Sequence, residues 1–284
     1  KKYVTSAAYS PDGRFILTAS GDTAWLWDSK SGKMLREFLG HQGDVASATF
    51  SGDGARIVTA SADKTARLWD VDTGAELAVL KGHEANLLSA AFSPDMRTVV
   101  TSSADLTARI WDIKTGRQMT ALEGHYGFVS SAIFTSDGAR VLTASGDRTA
   151  RLWNVVDGKE LMALRGHDGY VRSAAFSPNE SFIVTASEDK TARLWDARSG
   201  KELAVFRGHM DIVWNAAFSP DGKYIVTSSQ DTTAWIRAAS DTLKLADAKQ
   251  NIPRCLTEEQ REKLHLDRKP PIWCGALKKW PYHQ

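Results

Sequence analysis

The sequence predicts an all-β chain: a β-propeller of six recognisable four-stranded blades, the last incomplete, with a short helical and coil C-terminal tail. Three observations predict it. Tryptophan stands at 27, 69, 111, 153 and 195, an unbroken step of 42 residues, and a Gly-His pair ends at His41, His83, His125, His167 and His209 with the same step. Self-similarity at a period of about 40–45 residues with Gly-His and Trp-Asp marks is the signature of one four-stranded blade per repeat. Each repeat holds four short runs rich in β-branched and aromatic residues between turn residues, and none sustains a helical period over ten positions.

The fifth unit shows the elements in order. After Gly166-His167 come VRSAAF (171–176), a turn at Ser177-Pro178-Asn179, FIVTAS (182–187), a tight turn at Glu188-Asp189, TARLWD (191–196), a turn at Ser199-Gly200 and ELAVF (202–206). The second and third runs are apolar on both faces, as befits strands covered by a blade on each side. In the second unit the same runs fall near 45–50, 55–60, 65–70 and 75–80. The chain resembles the WD-repeat family over residues 1 to about 238, and that resemblance implies a structural Asp-His-Ser/Thr-Trp hydrogen-bond network in each blade.

The spacing supports such a relay. His167 is followed 22 residues on by Asp189 and then by Trp195, with Thr185 or Ser187 before the turn. The same geometry recurs at His41, Asp63 and Trp69, at His83, Asp105 and Trp111, at His125, Asp147 and Trp153, and at His209 and Asp231. A buried imidazole and an indole N–H need partners, and a turn carboxylate plus a strand hydroxyl supply them. A Ser-His-Asp hydrolase uses the same residue types. Five copies at strand and turn positions make the set structural, and no paired carboxylates, nucleophile or metal cluster breaks the period, so no enzyme, cofactor or metal is expected. Arg67, Arg109, Arg151 and Arg193 share a face with the tryptophans and read as repeat residues whose stems pack between blades rather than as an anion-binding ring.

Composition bounds the partners. With 42% hydrophobic residues, 284 positions can bury a large core, and a net charge of +2 gives no basic stripe for nucleic acid. No apolar run is long enough to span a membrane. Two cysteines, both in the tail, fit a reducing, cytoplasmic compartment.

The end units depart from the pattern. The first is one residue shorter in the turn around Asp22, and counting back from His41 puts its Gly-His just ahead of Lys1. In the sixth, Arg237 stands where tryptophan is due and no clear fourth strand follows. An open sheet edge is a liability, so the sequence predicts a longer protein whose preceding residues complete the last blade. The domains are thus the propeller, 1–238, and an extension, 239–284, packed on it.

In that extension Asp241 or Thr242 can cap a helix through Lys249, and Thr257 with Gln260 gives a capping box for a second helix. Cys255, His265, Cys274 and His283 lack the close ligand pairs of a zinc site. That leaves a Cys255–Cys274 disulfide or, favoured, reduced cysteines packed under Trp273 and Trp280. PRCLTEEQREKLHLDRKPPIWC, followed by KWPY, resembles the end of the WD-repeat region in bacterial signal-transducing ATPases of the STAND, NACHT-like type. That resemblance implies an upstream nucleotide-binding switch and a TIR or caspase-like effector, and a role here as the ligand-sensing, autoinhibitory arm. The alternative is a stand-alone scaffold that assembles a protein complex.

The WD-repeat resemblance implies that one end of the blades is the usual docking face, and what varies there against the constant background marks the side a partner takes. In each unit the segment after Gly-His and the residue before the turn Asp lie at one end of the blade, here called the top. The second position of the first strand reads Ala46, Leu88, Ser130, Arg172 and Trp214; the residue before Asp reads Gly21, Ala62, Ala104, Gly146, Glu188 and Gln230; and the loop adds Tyr126, Phe128, Tyr170 and Met210. Units four to six thus carry the aromatic, Met and Arg side chains enriched at interface hot spots. A protein or peptide partner is expected there, beside Tyr170, Arg172 and Trp214; the alternative is that these side chains fill the mouth of the central channel or pack on the neighbouring tail, since Phe128 falls next to a core position.

Overall fold

A computed structural model describes residues 3–239. They form six sheets: five antiparallel sheets of four strands and a sixth of three, each strand hydrogen-bonded to the next in sequence. The first strands lie innermost, those of adjacent blades packing on one another from Val4–Tyr9 through Val213–Phe218. In the second blade the strands run Val45–Phe50, Arg56–Ser61, Thr65–Asp70 and Glu76–Lys81. Expectation and structure agree to within a residue at each.

Blades pack face to face, and in blades two to five the third-strand tryptophan fills the seam with the blade before it. Trp69 packs with Val45 and Ile57 of its own blade on Leu17, Ala19 and Leu26 of blade one. Trp111, Leu87 and Val99 pack on Val58, Ala60 and Leu68 of blade two. Trp195, Val171 and Ile183 do the same on Leu142, Ala144 and Leu152 of blade four. Near the axis the seams are also stitched by hydrogen bonds: Ala90 N–H donates to Ser47 Oγ at 3.2 Å, Ala132 N–H to Ser89 Oγ at 3.1 Å and Ala216 N–H to Ser173 Oγ at 3.2 Å.

A β-bulge interrupts every innermost strand at one place. The ladder runs Val171–Ser187 and then Ser173–Ala186, leaving Arg172 unpaired; Val213–Ser229 and then Asn215–Ser228 leave Trp214 unpaired. Thr5, Ala46, Leu88 and Ser130 hold the same place in their blades. Bulges re-aim side chains beside functional sites, and this one frees the second residue of each first strand from the pairing: Thr5 and Ser130 use their hydroxyls on carbonyls of the next blade, while Arg172 reaches Glu188.

Blade six has three strands from its own segment, Val213–Phe218, Tyr224–Ser229 and Ala234–Ala238. Its missing tryptophan is a displacement. Arg237 pairs with Ile225 as Trp195 pairs with Ile183, while Trp235 pairs with Thr227 as Arg193 pairs with Thr185. Arg and Trp have exchanged places two positions apart on one face. Trp235 lies 4.8 Å from the His209 ring, and Arg237 stacks on Trp235 at 4.8 Å. Among the described residues nothing packs on the outer faces of blades one and six: Val4 and Ile236 are exposed, whereas their counterparts Val45 and Leu194 are buried.

No helix among the described residues is long and apolar enough to cross a membrane. The expected tail helices, the fate of Cys255 and Cys274 and the packing of the extension lie outside the described residues.

Candidate functional site

The relay forms in full in blades two to five. In blade five, Asp189 Oδ2 lies 2.7 Å from His167 Nδ1, His167 Nε2 lies 2.7 Å from Thr185 Oγ1, and Trp195 Nε1–H donates to the same Oγ1 at 2.9 Å. The carboxylate holds the ring proton on Nδ1. Nε2 then accepts from the Thr185 hydroxyl, whose oxygen accepts from the indole. Of the two hydroxyls open in the sequence, the strand threonine is the relay member; Ser187 Oγ accepts the Asp189 N–H at 3.1 Å and shapes the turn.

Blades two, three and four repeat this at His41–Asp63, His83–Asp105 and His125–Asp147, each at 2.6 to 2.7 Å. Their indoles close the chain in the same way. Trp69 Nε1–H donates to Thr59 Oγ1 at 2.9 Å, Trp111 Nε1–H to Thr101 Oγ1 at 2.8 Å and Trp153 Nε1–H to Thr143 Oγ1 at 2.8 Å. Trp111, like the others, is buried, so its donor has no water to turn to and the threonine is its partner. In blade six His209 keeps Asp231 at 2.8 Å and Thr227 at 2.9 Å, with Trp235 stacking instead of donating to the threonine.

The arginines extend the relay. Arg151 is buried, with Nη2 2.9 Å from Asp147 and Nη1 2.8 Å from Glu160. Arg193 reaches Asp189 at 3.6 Å and Glu202 at 2.6 Å. Each of these guanidinium groups is paired within its own blade.

Burial alone would raise the Asp63 and Asp105 carboxyls. Hydrogen bonds from Thr65, the Gln42 N–H and His41, and from Thr107, His83 and the Glu84 N–H, outweigh it and lower both to about 2. Burial pushes the His41 and His83 imidazoles below their ordinary 6.5 against the pull of these carboxylates. Both effects leave the unfolded chain binding more protons than the folded one, so stability falls as the pH falls. The histidine contribution is complete above pH 6.5 and declines below it; the carboxylate contribution is lost between the ordinary 3.8 and about 2. The melting temperature is therefore expected to fall from pH 7 to pH 5 and more steeply below pH 4, with replacement of His41 and His83 by Gln flattening the first part. A melting temperature that holds to pH 4 would refute the neutral-histidine relay.

The top face brings five of the expected partner residues into one stack. Tyr170 meets Phe128 edge to face at 5.3 Å, the Arg172 guanidinium lies 5.4 Å over Phe128 and 4.9 Å over Trp214, and Arg172 is ion-paired with Glu188. Phe128 is seated over a turn that only glycine permits as built, since a Cβ on Gly146 would stand 2.6 Å from its ring. Tyr170 and Trp214 are each 44% exposed. The other expected residues stay out of the stack: Tyr126 is exposed beside the Arg151 guanidinium at 5.9 Å, Leu88 is half-buried in blade three, and Met210 and Gln230 are exposed in blade six.

The fold and its relays define a repeat-built propeller, a rigid scaffold presenting loops. The WD domain, G-beta repeat family matches residues 1–28, 32–70, 74–112, 116–154, 158–196 and 200–236, and the chain belongs to that family. WD-repeat proteins are generally non-catalytic protein-interaction modules. Over 65 residues the chain is 40% identical to the guanine nucleotide-binding protein subunit beta-5b of Danio rerio, a stretch covering 22% of this chain and 16% of that relative's length.

Proposed function

We propose that this propeller binds a protein or peptide on its top face, on the side of blades four to six. The stack of Tyr170, Phe128, Arg172 and Trp214 carries this reading. It breaks an otherwise constant repeat with half-exposed aromatic residues on a rigid scaffold, the kind of group that anchors interfaces. Replacing Tyr170 and Trp214 by Ala together is expected to abolish partner binding while moving the melting temperature little, because neither side chain is in the core. Full binding by a folded double variant would place the site elsewhere.

A narrower reading is favoured by the sequence of residues 253–274 and 279–282. In it the propeller is the ligand-sensing, autoinhibitory arm of a cytoplasmic bacterial signal-transducing ATPase, whose own upstream switch and effector are further partners. A stand-alone scaffold is the alternative. A nucleotide-binding motif in the gene ahead of Lys1 supports the first, and a nearby start codon supports the second.

A further inference from the structure

We propose that the partner brings a carboxylate to this face, on an acidic residue next to an aromatic or large apolar one, and that Glu188 holds its place in the free protein. The inference rests on the docking face argued above. Arg172 is the only charged residue on the six innermost strands. Its bulge takes it out of the ladder, at a place where its counterparts are Thr5, Ala46, Leu88, Ser130 and Trp214. The guanidinium lies over both the Phe128 and the Trp214 rings, and its N–H edge, the part already paired with Glu188, is a donor array suited to a carboxylate. The side chain is 27% exposed, and partial desolvation strengthens a charge-assisted bond formed there.

Glu188 already shows what fits. It is 23% exposed and paired with Arg172, on a turn whose counterparts are Gly21, Ala62, Ala104, Gly146 and Gln230. The turn therefore needs no carboxylate; the one in blade five serves the arginine. Of the pair, Arg172 is fixed by two ring contacts and Glu188 by the ion pair. Glu188 is thus the member that swings to solvent, and an incoming carboxylate replaces it without stranding a charge. A basic ligand would instead meet Arg172 with like charge. Among the neighbouring loop charges Arg148 and Lys190 offset Asp168 and Asp211, so the stacked guanidinium sets the sign. The exchange of carboxylates confers selectivity, while Tyr170 and Trp214 supply affinity.

A displayed library of random heptapeptides selected on the full chain tests this. The expected result is enrichment of Asp or Glu next to Trp, Tyr, Phe or Leu. A labelled enriched peptide should bind Arg172→Gln about tenfold more weakly, and Glu188→Gln, which removes the competitor, more tightly than the unaltered chain. Glu188→Gln lies on a surface turn outside the core, so its result stands even if Arg172→Gln lowers the melting temperature. Peptides that need Trp214 but carry no acidic residue, or that bind Arg172→Gln undiminished, would overturn the carboxylate inference and leave the docking face intact. Lys- or Arg-rich peptides weakened by Glu188→Gln would overturn it too, by making Glu188 the reader. Selection of no peptide that depends on Tyr170 and Trp214 would overturn both readings.

Discussion

Trp153→Ala is expected to cost about 3–5 kcal/mol, the range for emptying the site of a large buried aromatic side chain. The indole is almost fully buried between blades three and four, against Val100, Ala108, Ile110 and Leu122. Its Nε1–H donates to Thr143 Oγ1 at 2.8 Å, so the loss combines a cavity with a broken relay. Gly124 approaches the same ring at φ 143, where a Cβ would stand 3.3 Å from it, and collapse from that side would require backbone movement. Trp153→Phe separates the two contributions. It keeps most of the volume and removes the donor, and is expected to cost about 1 kcal/mol for the bond plus a smaller packing loss. Trp235→Ala in blade six should cost less than Trp153→Ala, because Trp235 is only half-buried and stacks on His209 rather than donating to Thr227. Denaturant unfolding gives all three values. Equal costs for Trp153→Ala and Trp235→Ala would remove the seam tryptophans as the main source of blade cohesion.

Much of this was legible because a repeat states its geometry several times over. His, Asp and Trp at constant spacing named the relay, and strands Val45–Phe50 and Thr65–Asp70 fell where the pattern put them. Thr185 and Ser187 were not separable, since both sit on one face of the second strand; only the three-dimensional twist puts the threonine under the imidazole and the serine against the turn. In blade six the period shows only that Arg237 stands where tryptophan is due; that Trp235, two positions earlier on the same face, packs beside His209 instead is a matter of side-chain packing, which the spacing does not carry. The bulges were invisible for a different reason. Residues as unlike as Ala46, Leu88, Arg172 and Trp214 occupy the same bulged place, so no residue type marks it. Variation at that position still pointed to the end of the blades where the stack lies. What variation did not reveal was that Arg172 lies over both Phe128 and Trp214, so that the group draws on three successive blades.

Asp147→Ala is expected to cost about 1–3 kcal/mol, the penalty for leaving buried donors without an acceptor. The carboxylate receives His125 Nδ1–H at 2.7 Å, the Tyr126 N–H at 3.2 Å, the Thr149 N–H at 3.0 Å, the Thr149 hydroxyl at 2.6 Å and Arg151 Nη2 at 2.9 Å. Removing it leaves a buried guanidinium with Glu160 as its remaining carboxylate and frees the imidazole to take the wrong tautomer, which disturbs Thr143 and Trp153 in turn. Burial would raise the Asp147 carboxyl, but hydrogen bonds, chiefly from His125 and Thr149, outweigh it and hold the group well below the ordinary carboxylate range. Its contribution should therefore persist to lower pH than that of an isolated aspartate. The same change at Asp22 should cost less. Asp22 is exposed, and the Thr18 and Trp27 of its blade are only half-buried, although Trp27 still donates to Thr18 at 2.8 Å. Thermal shifts of Asp147→Ala and Asp22→Ala measured side by side decide the matter: a clearly larger loss at Asp147 is expected, and equal shifts would mean that packing, rather than the relay, sets the stability of the interior blades.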